Sequence, residues 1–96
     1  MRETQYTINK WQDDKFPDAT LAGVTRHLSE EFQEFLSINA HNDPKSAQQE
    51  AADIVILLYA WADKVNCDLH AEIDRKMQIN RRREWNIQED GTGRHR

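Results

Sequence analysis

The chain has 96 residues and a formal net charge of −4, with 38% apolar and 31% charged residues. This length allows one small domain, which alone would bury roughly 60–65% of its surface, so further burial by oligomerisation is expected. The acidic balance argues against nucleic-acid binding, and no apolar run reaches the roughly 20 residues of a membrane-spanning helix. One cysteine and no apolar signal segment after the N-terminus predict a cytoplasmic protein.

The first half of the chain predicts two helices. Residues 7–14 form a short helix that ends before Pro17, because a residue preceding proline resists helical dihedral angles. Residues 21–38 carry apolar side chains at helical spacing, and either Asp18 or Thr20 can cap this second helix. Both helices therefore present one apolar side to a core.

The second half predicts two further helices. Asp43 caps a helix that has Pro44 in its first turn, where the missing N–H costs little, and that ends at residue 64 or 65. Asp68 caps a last helix over residues 69–85, with Ile73 and Met77 among its expected core positions.

The predicted fold is all-α. Short connections favour antiparallel neighbours, so we expect an antiparallel bundle of three main helices plus a short N-terminal helix, completed by oligomerisation. Residues 1–85 form this domain. Residues 86–96 include two glycines and no convincing strand, so they are expected to be a flexible C-terminal tail.

The most apolar stretch, residues 50–61, opens with two carboxylates. Glu50 and Asp53 are three residues apart, which makes them neighbours on one helix face, in line with the core stripe. Glu31 and Glu34 form a similar pair in the second helix, where Glu31 occupies an apolar position. The two pairs can face each other across antiparallel helices. Buried carboxylates require a metal ion, a cation or a proton.

Four facing carboxylates suit a hard divalent cation. Oxygen ligands favour Mg²⁺, with Mn²⁺ as a substitute, and Mg²⁺ held by few carboxylates commonly bridges to substrate phosphates. A di-iron site would need Glu-x-x-His on two helices, and none of the four histidines has a glutamate three residues before it. With two or more ions, one can activate a water while another holds phosphate oxygens, which predicts hydrolysis of a phosphorylated substrate.

The last helix offers groups for phosphate binding. Lys76 and Asn80 are four residues apart, and Arg83 follows three residues later, so the three lie on one face. Earlier in the chain, His27 lies one turn before Glu31 and either contacts the substrate or has a structural role. Trp11 either stacks on a base or belongs to the core.

Three segments in this order resemble the signatures of the MazG-like all-α nucleoside triphosphate pyrophosphohydrolases. They are Glu30-Glu31-Phe32-Gln33-Glu34, Glu50-Ala51-Ala52-Asp53 and Lys76-Met77-Gln78-Ile79-Asn80-Arg81-Arg82-Arg83. The last segment is similar to that of the dCTP pyrophosphatase branch. The start of the chain, with Trp11, Phe16-Pro17 and His27, is more like the short phage and bacterial enzymes that act on dATP and dGTP.

The resemblance implies an activity and a set of site residues. The reaction splits the α–β phosphoanhydride of a nucleoside triphosphate, with a purine deoxynucleotide such as dGTP or dATP as substrate and a monophosphate and pyrophosphate as products. The resemblance also implies a homodimer or a dimer-based tetramer. The implied metal ligands are Glu31, Glu34, Glu50 and Asp53, and the resemblance implies that Lys76 and Asn80 contact the substrate. Glu30 lies about 100° around the helix from Glu31, so it is either an additional ligand, a support for the ligands or a surface residue.

Two other interpretations stay open at this point. The apolar stripe of residues 54–61 and the small size also fit a non-catalytic helical dimer that acts as a regulator or adaptor. Phosphoribosyl-ATP pyrophosphohydrolase uses related helical carboxylates, and only the fuller match over residues 76–83 speaks for free nucleotides.

Overall fold

The computed structural model describes residues 2–96 and consists of four helices followed by a small hairpin. The elements are α1 (Gln5–Lys15), α2 (Leu21–Ser37), α3 (Pro44–Lys64), α4 (Leu69–Arg82), β1 (Trp85–Ile87) and β2 (Gly93–His95). The predicted all-α class and the four helices are confirmed. In the part of the chain that the structure describes, no helix is both long and apolar enough to span a bilayer.

Capping side chains set the helix starts. Of the two candidate caps of α2, the structure uses Thr20, whose hydroxyl accepts a hydrogen bond from the backbone N–H of Gly23 at 3.1 Å. The predicted caps of α3 and α4 are also formed. α1 begins before its predicted start because Thr4 and Thr7 form a reciprocal capping box. Side-chain capping thus supplies the acceptors that the first backbone N–H groups of each helix need.

The core lies between α2 and α3, and α1 also packs against α3. Most of the buried apolar side chains come from α3 and are small, which allows close approach of the neighbouring helices. The set consists of Val24, Ala47, Leu57, Ala60 and Ala62. α3 is therefore the central helix, and carboxylates on its first turns face α2.

α4 lies largely outside this packing. Its expected core side chains Ile73 and Met77 are 47% and 38% exposed, and within residues 2–96 α4 has no interface comparable to that of α2 with α3. The expected core role of these two side chains is wrong for the single chain. Helical periodicity identified an apolar face, but periodicity does not identify the surface that covers it.

The overall dimensions agree with this open arrangement. The Cα radius of gyration is 16.0 Å, whereas a compact domain of this length has about 12.5 Å. The accessible surface is 7885 Å², whereas a compact monomer of this mass exposes about 5,700 Å². A single copy of the chain therefore leaves much surface uncovered that a compact fold would bury.

Three polar contacts fix the start of α4. The Gln5 side-chain amide donates to the carbonyl of Cys67 at 2.8 Å, and its Oε1 accepts from the N–H of Leu69 at 3.0 Å. The Tyr59 hydroxyl lies 2.8 Å from Nε2 of His70. These contacts tie the first turn of α4 to α1 and α3.

Replacing Gln5 with alanine is expected to lower the free energy of unfolding by about 1–3 kcal/mol, because two part-buried backbone groups lose their hydrogen-bond partner. Urea denaturation measures this change. Gln48→Ala is the matched control, since Gln48 is an exposed glutamine of α3. Equal stability of the two variants would show that the Gln5 contacts contribute nothing.

The C-terminal segment differs from the expected flexible tail. Its two strands pair antiparallel, with Trp85 opposite His95 and Ile87 opposite Gly93. The Trp85 ring meets the His95 ring edge-on at 5.9 Å, and its indole N–H donates to the carbonyl of Asn80 at 2.9 Å. Each strand has only three residues, too few for an alternating pattern to be recognised in the sequence. α4 correspondingly ends at Arg82, before its predicted end.

Candidate metal centre and adjoining cavity

Three of the four predicted metal ligands meet between α2 and α3. One oxygen each from Glu31, Glu50 and Asp53 lies within 4.8 Å of the other two. Glu31 comes from α2, and the other two lie one turn apart on the facing side of α3. Glu34 is exposed and outside this cluster, although its charge contributes to the raised pKa of Glu50.

Glu50 carries the strongest electrostatic perturbation of the cluster. Its pKa is raised from 4.5 to about 7, first by a hydrogen bond with Glu31, then by burial and by the neighbouring carboxylate charges. Its Oε2 is buried without a hydrogen-bond partner. A buried oxygen beside several carboxylates is unfavourable unless a cation or a proton neutralises the charge.

The cluster fits a divalent cation. All of its donor atoms are carboxylate oxygens, which are the ligands that hard cations such as Mg²⁺ and Mn²⁺ prefer. The buried Oε2 of Glu50 receives no hydrogen bond, as expected of an oxygen that binds a metal ion. One ion bound among these oxygens would offset the repulsion that raises the pKa of Glu50.

A cavity of about 720 Å³ adjoins the carboxylates. It lies between α1, the connection from α1 to α2, and the facing sides of α2 and α3. Glu31 and Asp53 line one part of it, and Trp11 and Phe16 line another. This volume lies within the roughly 300–1,000 Å³ of small-molecule sites.

Two of the predicted substrate residues line this cavity. Trp11 is 55% exposed and meets the ring of Phe16 edge-on at 5.9 Å, so it is not a core residue of the single chain. His27 also lines the cavity, and its Nε2 lies 3.2 Å from Oε1 of Glu31. His27 is therefore placed to orient a carboxylate of the cluster.

The other predicted substrate residues lie elsewhere. Lys76, Asn80 and Arg83 belong to α4 and its C-terminal cap, and none of them lines the cavity within a single chain. Asn80 nevertheless has a buried Oδ1 without a hydrogen-bond partner. The face predicted from their spacing is present, but one copy of the chain does not place it beside the carboxylates.

Sequence reasoning missed two cavity residues, Asp13 and Asp63. Burial and a hydrogen bond with the Asp13 carboxyl raise the pKa of Asp63. Asp13 belongs to α1 and Asp63 to the end of α3. Their meeting depends on how α1 packs against α3, and no local spacing in the sequence indicates that packing.

Known proteins resemble nearly the whole chain. A model of the dATP/dGTP pyrophosphohydrolase family matches residues 4–96. A dATP/dGTP diphosphohydrolase of Salmonella phage PMBT28 is 36% identical over 97% of this chain, which spans 30% of that protein. A dATP/dGTP diphosphohydrolase of cyanophage S-2L is 32% identical over 97% of this chain and 85% of that protein.

A solved structure has the same fold. The cyanophage S-2L MazG-like pyrophosphohydrolase, bound to dGDP and three catalytic Mn²⁺ ions per active site, matches with a TM-score of 0.74 and 32% identity. The match covers 96% of this chain and 92% of that chain. The resemblance predicted from the three sequence segments is confirmed. The chain belongs to the dATP/dGTP pyrophosphohydrolase family.

Proposed function

We propose that the chain is a divalent-metal-dependent hydrolase that converts dGTP or dATP and water to the monophosphate and pyrophosphate. The observation that carries this proposal is the convergence of Glu31, Glu50 and Asp53 beside a cavity large enough for a nucleotide. Family membership supports the substrate class, and the S-2L relative binds dGDP together with Mn²⁺. A regulator or adaptor would not need the unpartnered buried oxygen of Glu50.

The carboxylates would hold the metal ions. Glu31, Glu50 and Asp53 supply the inner oxygens, and Glu34, at the next turn of α2, would join them as the fourth ligand. Two or more ions are proposed, with Mg²⁺ as the physiological ion and Mn²⁺ as a substitute. Divalent ions bound there would neutralise the charge of the phosphates and lower the pKa of a water molecule.

The protein side chains prepare this chemistry. His27 holds Glu31 through the 3.2 Å contact between Nε2 and Oε1, so that the carboxylate keeps one orientation. Glu50, whose pKa is raised to about 7, must give up its proton before it can act as a ligand. The apolar cavity wall formed by Val24 and Leu57 excludes water from the bound nucleotide and so strengthens its electrostatic contacts.

We also propose that the chain works as a homodimer or a dimer-based tetramer. Support comes from the accessible surface of 7885 Å², which exceeds that of a compact monomer by roughly 2,000 Å². This excess has the scale of obligate dimer interfaces. The exposed side chains of Ile73 and Met77 supply an apolar face on α4 for a second copy.

The proposed dimer completes the active site. Lys76, Asn80 and Arg83 do not line the cavity of their own chain. We therefore propose that α4 of one copy carries these side chains to the cavity of the other. There they would donate to the triphosphate and offset the charge that develops during hydrolysis.

A substrate panel tests the proposed activity. Incubation with each of the four deoxynucleoside triphosphates, and with phosphoribosyl-ATP, in Mg²⁺ or Mn²⁺ is expected to release pyrophosphate from dGTP and dATP. Chelation with EDTA is the control and is expected to stop the release, because the carboxylates alone cannot neutralise the phosphates. Release of orthophosphate without pyrophosphate, or no turnover of any triphosphate, would contradict the proposal.

A further inference from the structure

Part of the cavity wall, apart from the carboxylate cluster, combines exposed aromatic rings with two further aspartates. Trp11 and Phe16 meet edge-on with centroids 5.9 Å apart and are 55% and 53% exposed. Asp13 and Asp63 line the same cavity, and the nearby Asp13 carboxyl contributes to the raised pKa of Asp63. Neither aspartate belongs to the metal-ligand cluster. The cavity therefore has a second region, in which two aromatic rings accompany two carboxyl groups.

One face of α3 connects this region to the carboxylate cluster. The cavity is lined from Asp53 to Asp63 through the apolar side chains of Ile56, Leu57 and Ala60. Ten residues of helix advance about 15 Å. A nucleotide whose phosphates lie at Asp53 therefore directs its base along the apolar wall toward Asp63 and Trp11.

The two aspartates have acceptor capacity to offer a ligand. Among residues 2–96, the ion pairs are formed by other side chains and include neither Asp13 nor Asp63. Lys64 partly offsets the raised pKa of Asp63 but does not form an ion pair with it. A ligand with two adjacent N–H groups would give each carboxyl the donor that it lacks.

Purine bases differ in what they present to such a pair. An ionised carboxylate is only an acceptor. The outer edge of guanine carries the N1–H and 2-amino donors side by side, whereas adenine carries one amino donor beside the N1 acceptor. Two carboxylates therefore complement guanine, while the adenine N1 lone pair would face an oxygen lone pair.

We propose that Asp13 and Asp63 read the N1–H and 2-amino groups of a guanine base that stacks on Trp11, and that dGTP is thereby preferred over dATP. This inference rests on the proposed function for the position of the phosphates. It assigns base selection to two residues outside the predicted catalytic set. Hydrogen bonds to charged acceptors give each aspartate a contribution of about tenfold or more in affinity.

Calorimetric titration with dGMP, dIMP and dAMP in Mg²⁺ buffer tests the proposal, because dIMP differs from dGMP only in lacking the 2-amino group. The unmodified protein is expected to bind dGMP at least about tenfold more tightly than dIMP, and dIMP more tightly than dAMP. Of Asp63→Asn and Asp13→Asn, the variant that loses the 2-amino contact is expected to remove most of the difference between dGMP and dIMP. The other variant is expected to lower the affinity for both dGMP and dIMP toward that for dAMP. Asp14→Asn is the matched control, since it removes the same charge from an exposed position of α1 that does not line the cavity.

Equal affinity for dGMP and dIMP, absence of dGMP binding, or a preference unchanged in both variants would overturn the proposal. Turnover assays on the same samples separate this outcome from the proposed activity. Hydrolysis of dGTP and dATP without a dGMP preference would refute the guanine-reading pair alone. A dGMP preference that depends on Asp13 and Asp63, without turnover of any triphosphate, would keep this base site and refute the pyrophosphohydrolase.

Discussion

Glu50→Gln is expected to abolish pyrophosphate release and, at the same time, to stabilise the protein in the absence of divalent ions. Activity should fall by at least about 10²–10³-fold, the cost of removing one preorganised electrostatic group. The stability gain follows because a neutral amide ends the repulsion that raises the pKa of Glu50 to about 7. The amide can still donate a hydrogen bond to Glu31.

The pH dependence of stability gives this prediction a second measurement. Between pH 4.5 and about 7, the folded protein holds a proton on Glu50 that the unfolded chain has lost. The metal-free protein is therefore expected to lose stability as the pH rises through this window. Glu50→Gln should lack this contribution. Thermal unfolding in EDTA across this range measures both slopes.

In the presence of divalent ions, the unmodified protein should become more stable than Glu50→Gln. Mn²⁺ binds the deprotonated carboxylates, so its stabilising effect on the unmodified protein is expected to increase with pH through about 7. Glu50→Gln should show little stabilisation by Mn²⁺. Glu72→Gln, which changes an exposed glutamate of α4, is the control and should match the unmodified protein. Retained activity, or an unchanged pH slope, in Glu50→Gln would contradict the role of Glu50.

The carboxylate cluster could be predicted because its residues are close together in the sequence. Glu50 and Asp53 share a face through helical spacing alone, and one short connection brings α2 back beside α3. Glu31 then meets them because it occupies a core position of α2. The ligand role of Glu34 stays a prediction, since small rotations of a helix decide whether its second carboxylate faces inward.

Contacts between residues far apart in the chain could not be predicted from the sequence. Asp13 and Asp63 meet only because α1 packs against α3, and that pairing has no local signature. Ile73 and Met77 show the opposite case, in which an apolar pattern was recognised correctly but its contact surface was not. A single sequence carries no marker of where one subunit ends and the next begins.

Co-expression of two inactive variants, Asp53→Asn and Lys76→Ala, is expected to restore pyrophosphate release. In the proposed dimer each site combines the carboxylates of one copy with α4 of the other. A mixed dimer therefore has one site with both defects and one site with none. Random pairing should restore about a quarter of the unmodified activity per subunit.

The control pair places both changes on the same side of the site. Asp53→Asn co-expressed with Glu50→Gln leaves every site with a defective carboxylate cluster, so no activity should return. Ile73→Glu added to both members of the first pair introduces a charge into the apolar face of α4. It should shift the protein toward monomers in size-exclusion chromatography and abolish the restoration.

The outcome distinguishes two ways of completing the active site. Restoration requires that Lys76 act on the cavity of the partner subunit, because no other arrangement produces an intact site from these two chains. Absence of restoration in a protein that still forms dimers would mean that Lys76 serves its own chain. α4 would then have to fold back against its own α2 and α3, and the dimer would have to form through a surface that does not bring Lys76 to the partner's cavity.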